Sequence, residues 1–199
     1  MRLFADVQSV QPGMRHPRPS SKPIFEEPPE ALDETWAHGA LVGGLGWATS
    51  SEEIVRSYLV AAELLVEKGI AAQTPSTVAY PVLFLYRHAI EVCLKSLLAA
   101  TSHTHSLPHL IEQVDGIARR TMTATDADWL RNRLTEFVRV DPQSTAFRFE
   151  NARVAGEPRS DGEWWIDFPH LHHTMATVFQ LLQAIRLGDT LPDPKNRPR

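Results

Sequence analysis

The sequence predicts an all-α fold: an antiparallel helical bundle of four to five helices, with a small irregular or hairpin insertion before the last one. Three observations predict it. Apolar residues recur three and four positions apart in successive segments between residues 50 and 187. Short connections carrying Pro, Gly or capping residues separate those segments. No strong parallel-strand pattern runs between them, so helices must bury one another. With 199 residues and 43% apolar content, the chain suffices for one domain with tails and a sizeable core.

Taken in order, residues 1–32 are expected to form a Pro-rich disordered or extended arm. Pro12, Pro17, Pro19, Pro23, Pro28 and Pro29 fix φ and remove backbone donors, so neither a helix nor a central strand starts there. The helical domain is placed at 33–187. Its first stretch holds Gly39, Gly43, Gly44 and Gly46 among Trp36, Leu41 and Trp47, and reads as a packed loop. Ser50 with Glu53 makes a capping box for the first helix, whose stripe is Ile54, Tyr58, Ala61, Ala62 and Leu65, with Gly69 as its stop.

The second helix is expected over 78–100, with Pro81 in its first turn, where a missing N–H costs little. It is apolar most of the way round, which marks it as the central helix. Leu107, Leu110, Ile111, Val114 and Ile117 stripe the third. Thr125, with Asp128 three residues on, is the expected cap of the fourth, which Asp141-Pro142 ends. Residues 143–166, with Phe147 and Phe149 alternating and Trp164-Trp165 after a Gly turn, read as a loop with a two-stranded hairpin. Asp167 or a neighbour caps the last helix, striped by Leu171, Met175, Val178, Leu182 and Ile185, and 188–199 reads as a disordered tail.

Composition excludes several classes. There are 20 Lys and Arg against 24 Asp and Glu, a formal charge of −4, so bulk positive charge does not drive nucleic-acid binding, though a local basic groove remains open. The lone Cys93 rules out a disulfide framework and a Cys-based zinc site, and its place on the apolar helix reads as a buried small hydrophobe. No apolar run reaches the roughly 18 residues of a membrane helix, and Arg2 is followed by no apolar stretch suited to a secretory signal, so a cytoplasmic protein away from membranes is expected.

The chemistry-bearing residues lie on the second helix. Arg87, Glu91 and Lys95 stand at i, i+4 and i+8 and share one face. On so apolar a helix this stripe is expected to be partly enclosed, and enclosed charges must be paired. One reading is a salt-bridge ladder that fixes helix register. The other is a polar groove that holds an anionic group such as a phosphate: Arg87 supplies a planar fork of donors, Lys95 a point charge, and Glu91 orients them. His88 beside them has a reference pKa near 6.5 and suits proton transfer. Arg148, between Phe147 and Phe149, needs a partner, for which Asp141 and Glu91 are candidates, unless it is a surface Arg beside buried aromatics.

The nine His raise the question of a metal. His103, His105 and His109 form one group, and His170, His172 and His173 another, but neither has an accompanying Cys or a His-Glu-x-x-His spacing, so no metal site is assigned. Gly43-Gly44-Leu45-Gly46 follows no clear strand and reads as a loop rather than a phosphate cradle. Trp164 and Trp165 are candidates for stacking on bases, or for packing one ring inward and leaving the other at an interface.

The run Tyr80-Pro-Val-Leu-Phe-Leu-Tyr-Arg-His-Ala-Ile-Glu-Val-Cys-Leu-Lys95 resembles the central helix of HEPN-like bacterial proteins. His105-Ser-Leu-Pro-His-Leu110 is similar to the start of the next helix in that family, and Asp141-Pro-Gln-Ser-Thr-Ala-Phe-Arg148-Phe to its Asp-Pro-x-Ser-x-x-Phe-Arg-Tyr segment. The resemblance implies an all-α bundle that dimerises and binds or acts on RNA or nucleotides, in a toxin–antitoxin, abortive-infection or other defence setting, with a cognate partner protein in some systems and no cofactor. Catalytic members carry an Arg, four to six residues, then a His. Here Arg87 and His88 are adjacent instead, and no Arg has a His at the family spacing.

Three functions are thus expected of this sequence. The first is a homodimeric module that binds RNA or a nucleotide-like anion through Arg87, Lys95, Arg148, Glu91 and Asp141. The second is a metal-independent ribonuclease with a non-standard site built from His88 or His105 with Arg87. The third is a non-catalytic interaction or dimerisation domain.

Overall fold

A computed structural model of the chain describes residues 23, 50–98, 104–141, 144, 146–148 and 165–188. The chain divides into two units, Met1–Val42 and Gly43–Arg199, and the helices described belong to the second. The expectations for the Pro-rich arm, the Gly-rich stretch, His103, Trp164, Phe149 and the tail beyond residue 188 lie outside the described residues. So does most of the expected hairpin.

The second unit holds a bundle of five helices: α1 Ser51–Ala71, α2 Pro75–Leu97, α3 Leu107–Thr121, α4 Ala124–Val140 and α5 Phe168–Leu187. There is no strand among the described residues, and within the expected insertion 144 is a bend and 146–148 a turn. The core gathers Ala62 and Val66 of α1, Val82, Tyr86, Ile90 and Leu94 of α2, Leu107, Leu110 and Val114 of α3, Leu130 and Leu134 of α4, and Met175, Val178 and Leu182 of α5. Helix α2 packs on α1, α3 and α5, the central position its apolar composition predicts.

The capping box of α1 forms as read: Ser50 Oγ accepts from the Glu53 N–H at 3.2 Å, and Glu53 Oε2 accepts from the Ser50 N–H at 3.2 Å. Gly69 is not the stop. The helix runs two residues further and turns at Gln73, whose φ is 54°. Gly69 is buried where α1 meets the start of α2, and a Cβ on it would stand 2.8 Å from Val78 Cγ2. Its missing side chain lets the two helices approach.

Helix α2 begins three residues before the expected start, on Pro75. Pro81 therefore falls in the second turn, not the first. It withholds the bond to the Thr77 carbonyl, but Thr77 and Pro81 are both exposed, so that carbonyl lies on the solvent side and the helix continues. The cap of α4 is Thr123, not Thr125: its hydroxyl accepts from the Asp126 N–H at 3.2 Å. Asp167 caps α5 by accepting from the His170 N–H at 2.8 Å, and Gly188, at φ 66°, closes it in the left-handed region. On the outer side, Asp115 of α3 takes Arg119 at 2.9 Å and Arg131 of α4 at 3.1 Å, and so ties the two helices together.

Candidate functional site

Three turns of α2 bring Arg87, Glu91 and Lys95 to one edge of the core. Arg87 has no solvent exposure and Glu91 is 3% exposed. Burial on this scale is tolerated only with partners. Glu91 Oε2 accepts from Arg87 Nη1 at 2.9 Å, and its Oε1 accepts from Lys95 Nζ at 2.9 Å. His105, from the segment before α3, places Nδ1 2.7 Å from the same Oε1 and 3.2 Å from Lys95 Nζ. Burial alone would raise the Glu91 pKa. The hydrogen bonds from Lys95, His105 and Arg87 outweigh it and hold the carboxyl at about 2.

The other end of Arg87 reaches the end of α4. Its Nε lies 3.2 Å from Asp141 Oδ2 and donates to the Asp141 carbonyl at 3.3 Å. Asp141 is 1% exposed, and its Oδ1 accepts from the Ala146 N–H at 3.0 Å. The sequence dictates this corner: Pro142 disfavours helical backbone at the residue before it, so α4 stops and Asp141 turns inward. Arg87 thus latches the turn that carries Ala146, Phe147 and Arg148 onto α2. Its Nη2 is buried with no hydrogen-bond partner among the described residues.

That turn lies beside an aromatic face. The Arg148 guanidinium stands 5.8 Å from the centre of the Phe84 ring, and Arg148 Nε donates to the Ser144 carbonyl. The His88 ring stacks on Phe84 at 5.8 Å and 15°, and meets Tyr58 of α1 edge-on at 4.5 Å. Tyr80, 58% exposed, meets Phe147 edge-on at 6.5 Å. Tyr80, Phe84 and His88 stand at i, i+4 and i+8, so this face runs along α2 parallel to the ionic stripe. Burial lowers the His88 pKa; Glu91 opposes this, and the positive Arg87, Lys95 and Arg148 add to it. His88 is therefore a neutral imidazole at neutral pH.

The structure brings Arg87, Glu91, Lys95, His105 and Asp141 into one continuous network, and sets His88 and Arg148 on the face beside it. The cations Arg87 and Lys95 balance the carboxylates Glu91 and Asp141, so the buried part has no surplus charge to attract an anion. The accessible members are Lys95, whose side chain is 25% exposed, and His105, at 79%, with the exposed Arg148 beside them. Asp141 and Glu91, considered as partners for Arg148, both ion-pair with Arg87. The latch between Arg87 and Asp141 spans 54 residues, and no local spacing signals it. The aromatic partners Tyr58 and Phe84 were also missed as a set, although the spacing of Tyr80, Phe84 and His88 is a signal that finds half of it.

Burial pushes the Cys93 thiol up to about 11, as befits a packed side chain rather than a nucleophile. Among the described residues no three His, Cys, Asp or Glu side chains come together to hold a metal ion, and no helix is long and apolar enough to cross a membrane. No family model, curated protein or solved structure matches the chain.

Proposed function

We propose that this chain is a HEPN-like helical module that binds single-stranded RNA, or a nucleotide-like anion, on the Phe84–His88 face of α2. The observation that carries the reading is the Arg148 guanidinium set over Phe84, which stacks in turn on a neutral His88, with Lys95 at the end of the same helix. Bases stack on such rings for about 1–3 kcal/mol each, while Arg148 and Lys95 meet phosphates. In this reading Arg87, Glu91 and Asp141 do not touch the ligand: they hold the turn and the lysine in place. Arg87 is sealed from solvent and so cannot supply the cation that a His88 or His105 site with Arg87 needs at a scissile phosphate, which favours binding without cleavage over that ribonuclease. The setting proposed is a cytoplasmic homodimer in a bacterial defence or toxin–antitoxin system. Exposed Val60 and Leu64, one turn apart on α1, support the dimer.

The test is a fluorescence anisotropy titration with a labelled single-stranded oligoribonucleotide at rising salt, with the RNA then run on a denaturing gel with and without chelator. Expected are binding that weakens with salt, intact RNA, and a loss on the order of tenfold in both Arg148→Gln and Phe84→Ala. Absence of binding at low salt would leave an interaction domain. RNA cleavage that disappears in His88→Ala would instead establish the ribonuclease.

A further inference from the structure

A cavity of about 260 Å3 opens between α2, α4 and α5, and none of its lining belongs to the ionic network. Its buried lining is apolar: Phe147 and Met175, with Leu83 and Val140 beside them. Its exposed lining, which forms the mouth, is not. Trp165, 85% exposed, stands there with the exposed Asp167 and Glu136. The volume lies just under the range of about 300–1,000 Å3 usual for small-molecule pockets, which fits a ligand of fragment size.

The charge of the lining is one-sided. It holds one arginine, Arg133, against two carboxylates. Arg133 Nη1 lies 2.9 Å from Glu136 Oε1, so that pair cancels. Asp167 Oδ1 accepts from the His170 N–H as the cap of α5, and among the described residues no Lys or Arg pairs with this carboxylate. A carboxylate offers about four acceptor positions, so most of them stay open to a ligand. One negative charge is thus left at the mouth beside an open indole, and both attract a cation. An apolar hollow behind them suits a cation with a hydrocarbon body.

We propose that this cavity is a binding site for a small arylalkylammonium ion: the ring lies among Leu83, Phe147 and Met175, and the ammonium donates to Asp167 beside the face of Trp165. Phe147 is the one residue shared with the RNA face, so the site stands or falls separately from the RNA-binding function.

Isothermal titration calorimetry on the full chain tests it, with 2-phenylethylammonium as the probe. Its neutral analogue 2-phenylethanol and the anion 3-phenylpropanoate are the controls. Expected is one saturable site for the ammonium, with a Kd on the order of 1 mM or tighter, weaker binding of the alcohol and none of the anion. Asp167→Asn keeps the helix cap, because Asn caps as well as Asp, but removes the charge. It should weaken the ammonium about tenfold with little change for the alcohol. Trp165→Ala, at an exposed position, should weaken the ammonium about threefold. RNA binding should be unchanged in either variant. The proposal is overturned if the ammonium shows no saturable binding, if the alcohol or the anion binds as tightly, or if Asp167→Asn, checked for an unchanged melting temperature, binds the ammonium as well as the parent chain does.

Discussion

Glu91 accepts hydrogen bonds from two helical cations and lies within hydrogen-bond reach of a histidine, from a position almost without solvent. Its folded pKa of about 2, against an ordinary 4.5, makes it a stability switch. Above pH 4.5 the carboxylate is charged in both states and its full contribution is present. As pH falls the unfolded chain takes up the proton first, so the contribution fades and is gone near pH 2. The shift corresponds to about 3 kcal/mol. Urea denaturation should show Glu91→Gln less stable by roughly 3–5 kcal/mol at neutral pH, since it takes from the buried Arg87 the carboxylate it shares with Lys95 and leaves it to Asp141. The difference from the parent chain should shrink between pH 4.5 and 2. Tyr86 behaves in the opposite way. Its hydroxyl is buried with no partner among the described residues, and burial, with Glu63 adding to it, pushes its pKa up to about 12. Tyr86→Phe removes an unmet polar atom without opening a cavity and should raise stability by about 1 kcal/mol in the same assay. The spacing of residues 87, 91 and 95 made their ion pairs legible, because i to i+4 neighbours on a helix meet whatever else the chain does. The Asp141 latch and the ring of Tyr58 on His88 arise only when distant segments pack, and nothing local encodes them.

At the scale of the element, the helices were legible from their apolar stripes, while their ends were resolved only by packing. Thr123 and Thr125 each have an aspartate three residues on, so the capping pattern occurs twice, two positions apart. The core decides between them. Ala127, Leu130 and Leu134 must face inward, and they do so with the helix started at Ala124. At the start of α2 the expected beginning at residue 78 gives way to one on Pro75, beside the close approach of α1. That approach depends on Gly69, whereas Gly116 of α3 has open space around it, the nearest atom being Arg120 Nη1 at 3.9 Å from a built Cβ. Two chemically identical substitutions should therefore differ in sign. Gly69→Ala drives a methyl group into the stiff Val78 side chain and should lower stability by about 1–3 kcal/mol. Gly116→Ala gains helix propensity without a clash and should raise it by roughly 0.5–1 kcal/mol. Thermal melts of the two single variants decide this.

For the whole molecule, α2 has two tasks on neighbouring faces. Its ionic edge closes the bundle against the end of α4 and carries no surplus charge. Its aromatic edge, with the Arg148 turn held against it, offers rings and a guanidinium to the outside. With a net charge of −4, the RNA binding proposed for this chain rests on such a local arrangement, with short-range stacking counting for more than long-range steering. Photo-cross-linking tests this division most directly. A single-stranded oligoribonucleotide carrying 4-thiouridine is irradiated with the full chain, and the linked tryptic peptides are identified by mass. Adducts are expected on the peptides 69–87, which holds Tyr80 and Phe84, and 88–95, which holds His88. Adducts confined to other helices, or none at low salt, would contradict the assignment of the Phe84–His88 face as the RNA-binding surface.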